Sequence, residues 1–373
     1  MKSIIITLFI ISILFLLCVP CNAEVVDEFK GDIDSLINSL SDEVKEDLES
    51  LSVDDADLSQ LNNINSESVI NLILEKIREN AVAPFTSCSC VIAIILLYAI
   101  LDSYKSSLRQ TSMQEVMSLV STLCITAVLI VPVINLIDYS IATIREASDF
   151  MILYVPIMIG ILAFSGKTIS SAGYYTMILS SCQIVSQLSS KFIAPLLNVF
   201  LGFSVSSSIT DKVNLQGFCD MFSKVIKWLI AFIMTVFSAM LTIRSMITTA
   251  YDSVTARAVR FTLSSFIPIV GTAISEAYKT IQGSINLLRS GVGVFVILAI
   301  LIVFLPSVIR CLMWLMSINL CKAIAQTVGV TTPCNLLSSV SSVISTIFAI
   351  IICISSIFVI STAILITVGG SNG

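Results

Sequence analysis

The side chains that usually carry chemistry are missing from this sequence or sit at unproductive spacings. None of its 373 residues is histidine. That excludes Ser-His-Asp and Cys-His nucleophile systems and any histidine-bearing zinc site. No G-x-x-x-x-G-K-[ST] phosphate loop and no G-x-G-x-x-G fingerprint occurs, which argues against ATP-driven work by this chain alone. Serine is abundant, so composition alone leaves a Ser-Lys dyad open. The 11 cysteines include no CxxC, and Cys88-Ser89-Cys90 has the wrong spacing for a zinc ribbon. Scattered through apolar stretches, they read as small packing residues. The sequence therefore predicts no enzymatic step, no cofactor and no metal.

The most distinctive segment is Ala250-Tyr-Asp-Ser-Val-Thr-Ala-Arg-Ala-Val-Arg-Phe261, followed by Phe266-Ile-Pro-Ile-Val-Gly271. Arg257 and Arg260 are three apart and share a helix face. Pro268 and Gly271 break or bend the backbone inside an apolar patch. Two readings stand side by side for Asp252, Arg257, Arg260, Pro268 and Gly271. One is a re-entrant pore element, tolerated where protein or water satisfies its backbone. The other is an interfacial helix with its arginines on lipid phosphates.

The elements that would position such a segment follow from composition. Hydrophobic residues make up 56% and charged residues 12%, against about 25% charged in globular domains. Mean hydropathy is +0.99. A soluble fold would have too little polar surface to cover itself, so bilayer-length apolar runs must dominate. Uncharged stretches mark them: 81–101, 116–137, 150–166 with Pro156 inside, 228–243, 290–309 and 336–368. A bilayer needs about 20 residues per helical crossing. The stretch 168–210 could be two spans divided at Lys191, or one crossing. About six spans result, over 81–373.

Ahead of them, Lys2, the apolar run 4–17 and Cys21-Asn22-Ala23 have the layout of a signal peptide over 1–23, cleaved between Ala23 and Glu24; a retained anchor is the rival. Residues 24–80 hold sixteen acidic and four basic side chains, a surplus of twelve negative charges. Their apolar positions Phe29, Ile33, Leu36, Ile37, Leu40, Val44, Leu48 and Leu51 recur near every 3.6 residues, as in amphipathic helices. The fold class expected is all-α: a polytopic helical membrane protein with a small N-terminal extracytoplasmic helical segment. That segment is either a solvated cap or a docking surface for a partner. Loop charges then place Lys105 and Arg109 in the cytoplasm, residues 138–149 outside, and Lys167 and the basic stretch 244–289 inside again.

At A-x-D-x-V-x-x-R (Ala250, Asp252, Val254, Arg257) and F-I-P-I-V-G the chain resembles the stage III sporulation protein AE family of spore-forming bacteria. The layout of leader, acidic helices and multiple spans, one ending at Leu305-Pro306, is similar across nearly the whole chain. The resemblance implies a channel-forming or scaffold part, without catalysis, in a secretion-like apparatus between mother cell and forespore. It would sit in the mother-cell-derived outer forespore membrane after engulfment, in a multiprotein complex with other stage III sporulation membrane proteins. It binds the lipid bilayer and no nucleic acid. The rival from another class is a stand-alone small-molecule permease, supported by the polar stretch 168–190 and the Pro268/Gly271 break.

Overall fold

A computed structural model describes residues 21–53, 64–106, 111–164, 168–209, 217–218, 221–239, 242 and 271–368. The described residues form an all-α architecture. The helices are α1 (Cys21–Asn38), α2 (Asp42–Ser50), α3 (Ser66–Ser106), α4 (Thr111–Phe164), α5 (Thr168–Leu188), α6 (Ala194–Ile209), α7 (Met221–Ala239), α8 (Gly271–Thr327) and α9 (Thr331–Val368). A π-helical turn, Ser189–Ile193, joins α5 to α6 without reversing the chain. Among the described residues, six helical runs are long and apolar enough to cross a membrane.

The acidic segment buries the stripe its periodicity predicts. Phe29, Ile33, Leu36 and Leu40 of the α1 region, then Val44 and Leu48 of α2, are all buried in the common core. The helix α2 ends in a Schellman turn: the Ser52 N–H donates to the Glu49 carbonyl at 2.8 Å and the Val53 N–H to the Leu48 carbonyl at 3.1 Å. Ser52 takes the left-handed conformation this needs, at φ 61°. The same device joins α8 to α9 around Gly329, at φ 79°. There the Gly329 N–H donates to Gln326 and the Val330 N–H to Ala325, and Val330 packs on Tyr98 and Ala99 of α3.

Two sequence expectations change here. The apolar runs 116–137 and 150–164 are not separate elements divided by an outside loop, because α4 is one helix of 54 residues. The charges between them suggested a loop, but the stretch has no glycine or proline, and Ile141, Ile144, Ala147 and Met151 keep helical spacing on a buried face. The end of the acidic segment and the run 81–101 share one helix, α3, with no break at residue 80. Finally, the two ends of the continuous α4, Thr111 and Phe164, lie at opposite ends of the bundle, whereas the loop charges alone place the chain on one side at both.

Cross-helix contacts fix the register. Asn80 meets Arg310 and Cys88 meets Ser317, so α3 and α8 run parallel. Ser140 meets Ser307, and Met158 lies against Gly293, so α4 runs against α8. Met151 meets Thr362, and Thr126–Val133 face Leu336–Val340 across a small apolar void, so α4 and α9 are parallel. Apolar runs therefore stack in two tiers. Above the level of Asn80, Tyr139 and Arg310 lie 81–101, 116–137 and the outer parts of α8 and α9. Below it lie 150–164, 290–309 and the end of α9, with α1 alongside: Phe29 packs at Gly160, where an added Cβ would meet its ring at 3.0 Å.

Candidate functional site

The polar residues that interrupt the apolar helices converge on one level. On α3 the charged run ends at Asn80, on α4 the apolar run ends at Ile137, and on α8 it ends at Ile309. Helical register brings Asn80, Tyr139 and Arg310, at or next to these ends, together. Arg310 Nε donates to Asn80 Oδ1 at 3.0 Å. Its guanidinium carbon stands 3.7 Å from the centre of the Tyr139 ring, a cation–π contact between two half-buried side chains. Beside it, Ser307 and Ser140 hydroxyls approach to 3.5 Å.

This node continues outward to the acidic helices. Asn80 Nδ2 donates to the Lys76 carbonyl at 2.8 Å. Lys76 Nζ reaches Glu43 at 2.9 Å, Asp47 at 3.1 Å and Glu79 at 3.9 Å. Lys76 is 5% exposed and Asp47 7%, so this is a buried pair with Glu43 at its rim. Burial pushes the Asp47 carboxyl above its usual range, against the opposing pull of the Lys76 hydrogen bond and charge. On the other flank, Ser39, Arg145, Glu146, Asp149, Phe150 and Leu153 line an open cleft. Arg145 donates from Nη2 to the Ser190 hydroxyl at 2.8 Å, on the π-helical turn.

The arrangement is a fastening and a charged belt. Among the described residues no three His, Cys, Asp or Glu side chains come together as a metal site. Of the residues singled out in the sequence, Asp252, Arg257, Arg260 and Pro268 lie outside the described residues, and Gly271 is the first residue of α8. Ala23 and Glu24 fall in the first turns of α1. Sequence reasoning did not single out Lys76, Tyr139 or Arg310. The available signal was that Tyr139 and Arg310 lie at the limits of uncharged runs; their convergence depends on pairs as far apart as 230 positions.

Comparison with known proteins gives three findings. The family profile described as "Stage III sporulation protein AE" matches residues 53–369. The chain is 23% identical over 283 residues to the "Stage III sporulation protein AE" of Bacillus subtilis (strain 168), which covers 75% of this chain and 71% of that protein. No solved structure matches.

Proposed function

This chain belongs to the stage III sporulation protein AE family, and from that premise we propose that it is a membrane part of a mother-cell-to-forespore channel or secretion-like apparatus. Its role is to form or scaffold the conduit, and it performs no catalysis. Its place is the mother-cell-derived outer forespore membrane, beside other stage III sporulation membrane proteins. The observation that carries this reading is the fastening of the acidic helices to the membrane bundle through Lys76. A segment held this way presents Asp32, Asp34 and Glu46 outward on a fixed surface, which suits docking better than tethering.

In this reading the upper tier occupies the bilayer. The runs 81–101 and 116–137 lie antiparallel there, and each is long enough for a hydrocarbon core of about 30 Å. Below the belt, α4 has only 150–164, while α1 lays exposed Lys30, Asp32 and Asp34 along that tier. Charges at that depth in lipid cost several kcal/mol each. The lower tier therefore stands on the extracytoplasmic side, where the apparatus would meet it.

Affinity capture of the tagged protein from sporulating cells tests the role. Other stage III sporulation membrane proteins should come with it, and removal of α1 and α2 should reduce their yield several-fold. A deletion strain that still forms spores normally would sink the proposal. Solute flux in liposomes holding only this protein would favour the permease instead.

A further inference from the structure

Two of the cysteines meet. Cys88 on α3 and Cys321 on α8 bring their Sγ atoms to 2.9 Å, although 233 positions separate them. They are 4% and 1% exposed. Both are free thiols; Cys90, two residues along α3, is exposed, and Cys182 and Cys311 are buried elsewhere in the helices. The remaining contacts hold the pair in place. Cys88 Sγ donates to the Ser317 carbonyl at 3.3 Å, one turn before Cys321, and Cys321 Sγ lies 3.6 Å from the Cys88 carbonyl.

We infer that Cys88 and Cys321 are a redox-modification site, a dithiol that closes to a disulfide between α3 and α8. Disulfide formation needs the two sulfurs to approach within bonding range, which most cysteine pairs in a fold cannot do without moving backbone; here each thiol already touches the other. The chemistry is a two-electron oxidation. The two S–H bonds break, one S–S bond forms, and two protons and two electrons leave. The pair lies in the upper tier, so the oxidant must dissolve in the bilayer. A lipid-soluble quinone meets that need and is reduced to its hydroquinone. Burial that keeps bulky aqueous reagents away also keeps sulfenic and higher oxidation from competing.

The consequence is mechanical. Cys88 is twelve residues, just over three turns, along α3 from Lys76, which holds α2. A bond from Cys88 to α8 would fix the helix that carries the acidic segment against the longest helix of the bundle. Reduction would free it. This goes beyond the proposed role in the sporulation apparatus: the choice of a lipid-soluble oxidant rests on the reading that the upper tier lies in the bilayer, while the closing of the dithiol rests on the Cys88–Cys321 contact alone.

The test uses the full-length protein in lipid vesicles, treated with a fully ring-substituted short-chain benzoquinone or with diamide, then denatured and alkylated with a maleimide. The expected result is that Cys88 and Cys321 both escape alkylation and are recovered as one linked peptide pair lighter by two hydrogens. Dithiothreitol should restore both to full labelling. C90S should leave the link intact, and C88S or C321S should abolish it. The inference is overturned if both thiols of the wild-type chain stay fully alkylatable after oxidation, or if the linked peptide contains Cys90 in place of Cys88. Peptide mapping of the wild-type chain gives this answer even if a variant fails to fold.

Discussion

Lys76 has 6% of its side chain exposed while its ammonium group faces three carboxylates, of which Asp47 is nearly as buried, at 9%, and Glu43 is half in water. Surface pairs of this kind contribute little, so the weight falls on Asp47. Removing one partner of a buried pair leaves the other charge uncompensated, at about 3 kcal/mol or more. Lys76→Met should therefore detach α2, read as loss of amide-exchange protection at Val44–Leu48 with α8 and α9 unchanged. Adding Asp47→Leu should recover much of it, since a buried pair replaced by apolar side chains is often neutral. The pH dependence has a defined sign. Because burial raises the Asp47 carboxyl in the folded state, the folded protein holds that proton more tightly than the unfolded chain. The Asp47 contribution to stability is then greatest below its unfolded value and declines as pH rises through the folded one. Exchange protection of α2, corrected for intrinsic rates, should rise on acidification into the carboxylate range, and Asp47→Asn should flatten that rise.

Helix ends and helix contacts set a second group of expectations. Ser52 holds a left-handed backbone that a side chain resists by about 1 kcal/mol, while the glycine at the equivalent place before Val330 does so freely. Ser52→Gly should stabilise α2 by about that amount, and Gly329→Ala should destabilise the α8–α9 turn by a similar one, both measurable as shifts in thermal unfolding in detergent. At Gly293 an added Cβ would collide with Ile366 of α9. Gly293→Val should therefore cost about 2 kcal/mol through overpacking, and Ile366→Ala in the same chain should relieve part of it. These elements also show what a sequence can disclose. The acidic amphipathic helices were legible because Phe29, Ile33, Leu36 and Leu40 repeat on one face. The unbroken α4 was not, because Asp138, Arg145, Glu146 and Asp149 signal a polar loop while the helical period beneath them is carried by Ile141, Ile144 and Ala147. The candidate site was invisible for a different reason: Asn80, Tyr139 and Arg310 each look like an ordinary end of an apolar run, and only the helix register makes them neighbours.

Length is the constraint that governs the whole molecule. At 1.5 Å per residue, α4 with its 54 residues reaches about 80 Å, far beyond one hydrocarbon core of about 30 Å. One bilayer cannot hold both tiers, so the apolar runs cannot all be crossings of the same slab, whatever their individual length. The basic stretch 244–289 bears on the choice. Lys and Arg bias orientation when they lie within roughly 15–20 residues of a span end. If the span on α8 begins near Arg310, then Lys279 is too distant to vote on α8, Arg257 and Arg260 bear on the run 228–243 instead, and Lys105 with Arg109, close to the end of 81–101, decide for α3. On that vote the acidic segment is outside and the stretch that carries Lys105 and Arg109 inside. Leu97 on α3 and Leu301 on α8 are both exposed, at 61% and 50%, and they sit in different tiers. In a cysteine-free background reconstituted in nanodiscs, Leu97→Cys should resist a membrane-impermeant maleimide and Leu301→Cys should react at least ten-fold faster. Equal protection of both would place the lower tier in lipid, and with it the α1 face bearing Asp32 and Asp34, an outcome in which those charges would have to be neutralised or the helix released from Gly160.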